Sequence, residues 1–89
     1  MDRKVVLWSS YTCQLCTELK DFFEENNIQY ENKDMKKDDH LRDIIEERYN
    51  VRKAPVVEID EAVVVGGGRW TPENWRTLKQ LLNVSEAVK

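Results

Sequence analysis

The chain has 89 residues, with 14 lysine and arginine against 17 aspartate and glutamate, a net charge of −3, and 40% hydrophobic residues. That length suits one domain with one modest core, residues 1–89, and the acidic balance lacks the basic stripe that grips nucleic acid. The apolar run at residues 5–8 falls short of the roughly 7–15 residues of a secretory signal, and nothing approaches the ~20 of a membrane span, so a soluble cytoplasmic protein is expected.

A first strand is expected over residues 4–9, carried by Val5, Val6, Leu7 and Trp8. Leu15, Leu19, Phe22 and Phe23 then recur at helical spacing, so a helix should open near Cys13 and close at Asn26 and Asn27. Residues 28–32 alternate and are largely polar, as an edge strand would be. Lys33, Lys36 and Lys37 are interleaved with Asp34, Asp38 and Asp39, which reads as a solvated loop. Asp38 or Asp39 can cap a second helix with Leu41, Ile44, Ile45 and Tyr49 on its inward face. Residues 56–59 and 62–65 read as two strands joined through Asp60 and Glu61, a connection so short that only an antiparallel hairpin fits. After Gly66, Gly67 and Gly68, Thr71-Pro72-Glu73 is a strong helix start, and Trp75, Leu78, Leu81 and Leu82 supply its apolar face. The order is β-α-β-α-β-β-α.

Cys13 and Cys16 are the only cysteines. A cysteine at a helix start faces unpaired backbone N–H groups and the positive end of the dipole, which favour a thiolate. A second sulfur one turn along can close a small disulfide. Cys13, at the first turn, is expected to attack, and Cys16, facing inward, to resolve the mixed disulfide. In a reducing compartment an exposed pair is better suited to catalysis, redox sensing or metal binding than to a structural bridge. Zinc usually takes four ligands, and the chain adds only His40, on another segment, so no metal ligand is assigned; zinc shared across a homodimer stays open. Tyr11, two residues before Cys13, is expected to form a wall of the site, Trp75 to be core, and Trp70 to be partly exposed.

The element order matches the thioredoxin fold, a four-stranded mixed sheet flanked by three helices. Cys13-Gln14-Leu15-Cys16 after the first strand, Ala54-Pro55 before the third and the glycines after the fourth resemble the glutaredoxin family along nearly the whole chain. The short length and the Ala-Pro-Val-Val run at residues 54–57 look most like the glutaredoxin-like redoxins that reduce ribonucleotide reductase. The resemblance implies a monomeric thiol–disulfide oxidoreductase that reduces protein disulfides, binds no resident cofactor, and takes electrons from glutathione or from thioredoxin reductase.

It also implies that Pro55 is cis and faces the cysteines, leaving the N–H and C=O of Ala54 to pair with an extended substrate. Gly66 and Gly67 would meet a glutathione carboxylate. The family's lysine three residues before the first cysteine is Ser10 here, and Glu73 rather than an immediate acid follows the glycines. Arg69 is then a compensating charge, with Arg52 or Lys53 as further candidates. The rival class is a non-catalytic module of the same fold that uses the cysteines for metal binding or as a redox sensor.

Overall fold

The computed structural model describes residues 4–10 and 13–83. The elements are β1 (Val5–Ser9), α1 (Gln14–Glu25), β2 (Glu31–Asp34), α2 (His40–Tyr49), β3 (Val56–Ile59), β4 (Ala62–Val65) and α3 (Pro72–Leu82). The sheet order is β2-β1-β3-β4, with β1 parallel to β2 and antiparallel to β3, and β3 antiparallel to β4. This is the thioredoxin fold that the element order implies.

Side chains alternate across a strand, so β1 feeds two cores. Val5 and Leu7 join Val57, Ile59 and Val64 on one face, covered by Leu19 and Phe23 of α1 and by Leu78 and Leu82 of α3. Val6 and Trp8 point the other way, with Val56, Met35 and Ile45 of α2, and Cys16 and Ala54 belong to this second cluster. Each large apolar side chain buried in this way contributes about 1.5–3 kcal/mol. Glu58 also lies on the α2 face, where it accepts hydrogen bonds from Trp8 Nε1 (3.0 Å), Arg48 Nη1 (3.0 Å) and the Tyr49 hydroxyl.

The helix limits follow local chemistry. Thr71 Oγ1 accepts the Asn74 N–H at 3.1 Å, and Pro72 opens α3. At α2 the cap is Asp38, whose Oδ1 accepts the His40 N–H at 3.1 Å, while Asp39 is already helical. The Asp60–Glu61 turn is stabilised from outside the hairpin: Asp60 takes φ of 54°, and its Oδ1 accepts the Lys4 N–H at 2.9 Å.

Two expectations need correction. The second strand is residues 31–34, not 28–32. Asn27 at φ of 61° and the Ile28 N–H bond to Phe23 O at 2.8 Å close α1, and Ile28 and Tyr30 pack on the core. Pairing with β1 begins at Val6 with Glu31, a register that would carry residue 28 past the start of β1. Trp70 is buried, at 8% exposure, whereas Trp75 is only half-buried. The two rings meet edge-on at 6.0 Å, and Trp70 Nε1 has no hydrogen-bond partner among the described residues.

Candidate active site

Cys13 is the N-cap of α1, in extended conformation, with its N–H bonded to Ser10 O at 2.9 Å. A cap residue normally offers a side-chain oxygen to the first-turn N–H groups. Here sulfur takes that place: Cys13 Sγ accepts the Cys16 N–H at 3.2 Å. Both thiols are free, Cys13 half-buried and Cys16 wholly buried. Burial pushes the Cys16 thiol up from the ordinary 9.0 to about 12, and its hydrogen bond with Cys13 adds to the shift. One sulfur is therefore accessible at a helix start, and the other is held protonated one turn behind it.

Cys13 opens on a depression of about 380 Å³, lined also by Ser10, Gln14, Leu15, Arg42, Lys53, Ala54 and Gly68. The Ala54–Pro55 bond is cis. Ala54 reaches the depression, while Pro55 is fully buried and does not line it. The Ala54 carbonyl accepts the Gly68 N–H at 2.9 Å, so the expectation that this C=O is free is corrected. The Ala54 N–H has no backbone partner among the described residues.

The glycine segment is bound to the same strand end. Gly66 N–H and Gly67 N–H donate to Pro55 O at 2.8 and 3.3 Å, so both of these donors already have an acceptor within the chain. Gly66 is glycine for lack of room, since a Cβ there would stand 2.7 Å from Pro55 O and 2.9 Å from Trp70 Cε3. Gly67 and Gly68 take φ of 62° and 99°, the left-handed region that other residues seldom adopt.

Of the residues expected at the site, Cys13 and Ala54 share the depression, Cys16 is buried one turn further along α1, and Pro55, Gly66 and Gly67, joined to one another through Pro55 O, do not line it. Arg69 is exposed and does not line it, and Tyr11 lies outside the described residues. Of the two alternative cations, Arg52 is paired with Asp43 and Glu46, and Lys53 faces the depression. Arg42 escaped the sequence reading. Its one available signal was its place beside Leu41 on the helix that covers the Cys16 face of the sheet. No group of three or more His, Cys, Asp and Glu side chains among the described residues could hold a metal ion. None of the described helices is long and apolar enough to cross a membrane.

The family model for glutaredoxin matches residues 5–64. N-acetyl-S-hydroxy-L-cysteine reductase of Bacillus subtilis (strain 168) is 40% identical over 55 residues, which is 62% of this chain and 59% of that protein, so the match spans less than two thirds of the relative's length. Among solved structures, a point mutant of the thioredoxin-like protein BC3987 is 33% identical, with a TM-score of 0.76 over 92% of this chain and 97% of that one. Glutaredoxin 1 from Francisella tularensis, complexed with cacodylate, is 25% identical, with a TM-score of 0.64 over 91% of this chain and 98% of that one.

Proposed function

The chain belongs to the glutaredoxin family, and on that premise we propose that it is a thiol–disulfide oxidoreductase working through a Cys13–Cys16 dithiol cycle. Cys13 attacks one sulfur of a substrate disulfide as the thiolate, forming a mixed disulfide and releasing the other sulfur as a thiolate that takes up a proton. Cys16 then loses its proton, attacks Cys13 Sγ and expels the second substrate thiol. Two electrons have passed to the substrate, and the protein is left with a Cys13–Cys16 disulfide.

The observation that carries this function is the inequality of the two sulfurs: Cys13 is accessible and accepts the Cys16 N–H at 3.2 Å, whereas Cys16 is buried with its thiol pushed up to about 12. The substrates are protein disulfides, with ribonucleotide reductase as a target class drawn from the resemblance. Glutathione or thioredoxin reductase would restore the dithiol, and the protein would act as a cytoplasmic monomer with no resident cofactor.

A second substrate reading is favoured by the 40% identity to a protein named as a reductase of an S-hydroxycysteine derivative. The same dithiol can reduce a sulfenic acid: Cys13 attacks the S–OH sulfur, hydroxide leaves and is protonated to water, and Cys16 resolves the mixed disulfide as before.

The test is to mix each reduced variant with a model disulfide and follow adducts by mass. Cys16→Ser should accumulate the mixed disulfide on Cys13, and Cys13→Ser should form no adduct at an appreciable rate. Rapid adduct formation by Cys13→Ser, with none by Cys16→Ser, would reverse the roles. Metal that copurifies with an inactive wild-type protein would favour the binding-module alternative.

A further inference from the structure

Two cations stand on the wall of the Cys13 depression. Arg42 is three-quarters buried, and its Nη1 donates to Arg52 O at 2.9 Å, which anchors one end of the guanidinium. Its contact with Asp39 is long, 3.8 Å, to a carboxylate that is 90% exposed. Lys53 has no ion-pair partner among the described residues, in contrast to Arg52 beside it. Its stem runs over Gly68, where a Cβ would stand 3.3 Å from Lys53 Cδ, so the bare glycine backbone leaves room for the lysine. Among the described residues, no aspartate or glutamate lines the depression. The nucleophile therefore faces a wall with two positive charges and, among the described residues, no carboxylate to pair with an ammonium.

We propose that this wall selects small cysteine derivatives whose oxidised sulfur lies close to a free carboxylate and whose amine is acylated, with Arg42 and Lys53 pairing with the carboxylate. The proposal rests on the dithiol cycle above. In a cysteine derivative the carboxylate is joined to the sulfur through only two carbons, so a sulfur presented to Cys13 brings its carboxylate to the same small depression. Charge-assisted hydrogen bonds from a guanidinium and an ammonium suit that group. An unacylated cysteine carries an ammonium on the same carbon as the carboxylate, and that charge meets two cations and no acid. Acylation removes the repulsion and keeps the anion.

The experiment measures single-turnover reduction of three disulfides by the pre-reduced protein in excess: N,N′-diacetylcystine, its uncharged diamide, and cystine. Each rate is divided by that of dithiothreitol with the same probe, which removes the probe's own reactivity. Every turnover releases two thiols and leaves one Cys13–Cys16 disulfide, so no further reductant is needed. Diacetylcystine should be preferred over both other probes by about tenfold. That preference should fall several-fold in Lys53→Gln and in Arg42→Gln, vanish in the double variant, and weaken as salt rises. Lys79→Gln, on α3, should retain it. Lys53→Glu should shift preference toward the dication cystamine, a gain that misfolding cannot produce. Equal normalised rates for the three probes, or an undiminished preference in the double variant, would overturn the inference while leaving the dithiol cycle intact. Failure to reduce any probe, the neutral diamide included, would overturn the cycle and this inference with it.

Discussion

Cys13 and Cys16 share one helical turn and the same chemistry in isolation, and burial is the largest of the causes that make them unequal. Cys16 lies among Trp8, Ile45 and Val56, an apolar setting that disfavours the thiolate and pushes the thiol from 9.0 to about 12. This has a consequence for stability. The folded state holds the proton more tightly than the unfolded chain, so the associated stabilisation is fully present below pH 9 and is lost as pH rises toward 12. The reduced protein should therefore lose stability between pH 9 and pH 12, and Cys16→Ala should lack that part of the loss. Urea unfolding of both reduced proteins at pH 8 and pH 10.5 checks this. A difference between them that is independent of pH would refute the assignment to Cys16.

α2 is fastened to the sheet by a polar contact as well as by Ile45. Burial of Glu58 acts to raise its carboxyl pKa, but hydrogen bonds from Tyr49, Trp8 and Arg48 outweigh it and hold the group below the ordinary 4.5. A depressed carboxyl contributes stability that is present above pH 4.5 and lost as pH falls through the folded value. Glu58→Gln should cost about 1–3 kcal/mol at pH 7, with the gap to wild type narrowing in acid, as read by denaturant midpoints at pH 7 and below pH 4. The segment after β4 is set by close approach. Gly66→Ala would drive a methyl against Pro55 O and the Trp70 ring, both within 3.0 Å, so a loss of about 1–3 kcal/mol in thermal unfolding is expected. Because Pro55 and Ala54 anchor the same segment, activity should fall with it. A Gly66→Ala protein as stable and active as wild type would show that this segment yields more readily than its contacts imply.

At the scale of the molecule, the start of α1, the first turn of α2, the segment before β3 and the glycine segment meet around Cys13. That meeting bears on the electron donor. Ser10 stands where the family has a lysine, Gly66 and Gly67 already donate to Pro55 O, and Arg69 lies off the depression. Each lost charge-assisted contact to glutathione is worth roughly 1.5–3 kcal/mol, and Lys53 and Arg42 would restore part of it at the carboxylate. Turnover should depend weakly on glutathione and respond better to a thioredoxin reductase. Efficient turnover at low-millimolar glutathione, with no response to any thioredoxin reductase tried, would contradict this expectation while leaving the Cys13–Cys16 cycle in place.

Periodicity and local chemistry made most of the fold legible in the sequence. Leu19 and Phe23 mark the buried face of α1, Thr71-Pro72 marks the start of α3, and the Cys13 and Cys16 spacing places both sulfurs in one helical turn. These are properties of neighbours in the chain, set by the 3.6-residue and two-residue repeats of side-chain direction. The limits of β2 escaped because polar alternation continues on both sides of it, and only the register with Val6 and the core contacts of Ile28 and Tyr30 decide where pairing begins. Trp70 and Trp75 likewise differ in burial through Gly66 and α3, not through their own surroundings in sequence. The charged wall escaped for the same reason. Arg42 and Lys53 are ordinary surface cations along the chain, and they face Cys13 only because α2 and the segment before β3 pack over the sheet end from which α1 departs. Sequence alone determined the cysteine pair and the fold that carries it; tertiary packing decided which sulfur is buried, which carbonyls are occupied and which charges line the Cys13 depression, because each depends on distances between segments that no local repeat encodes.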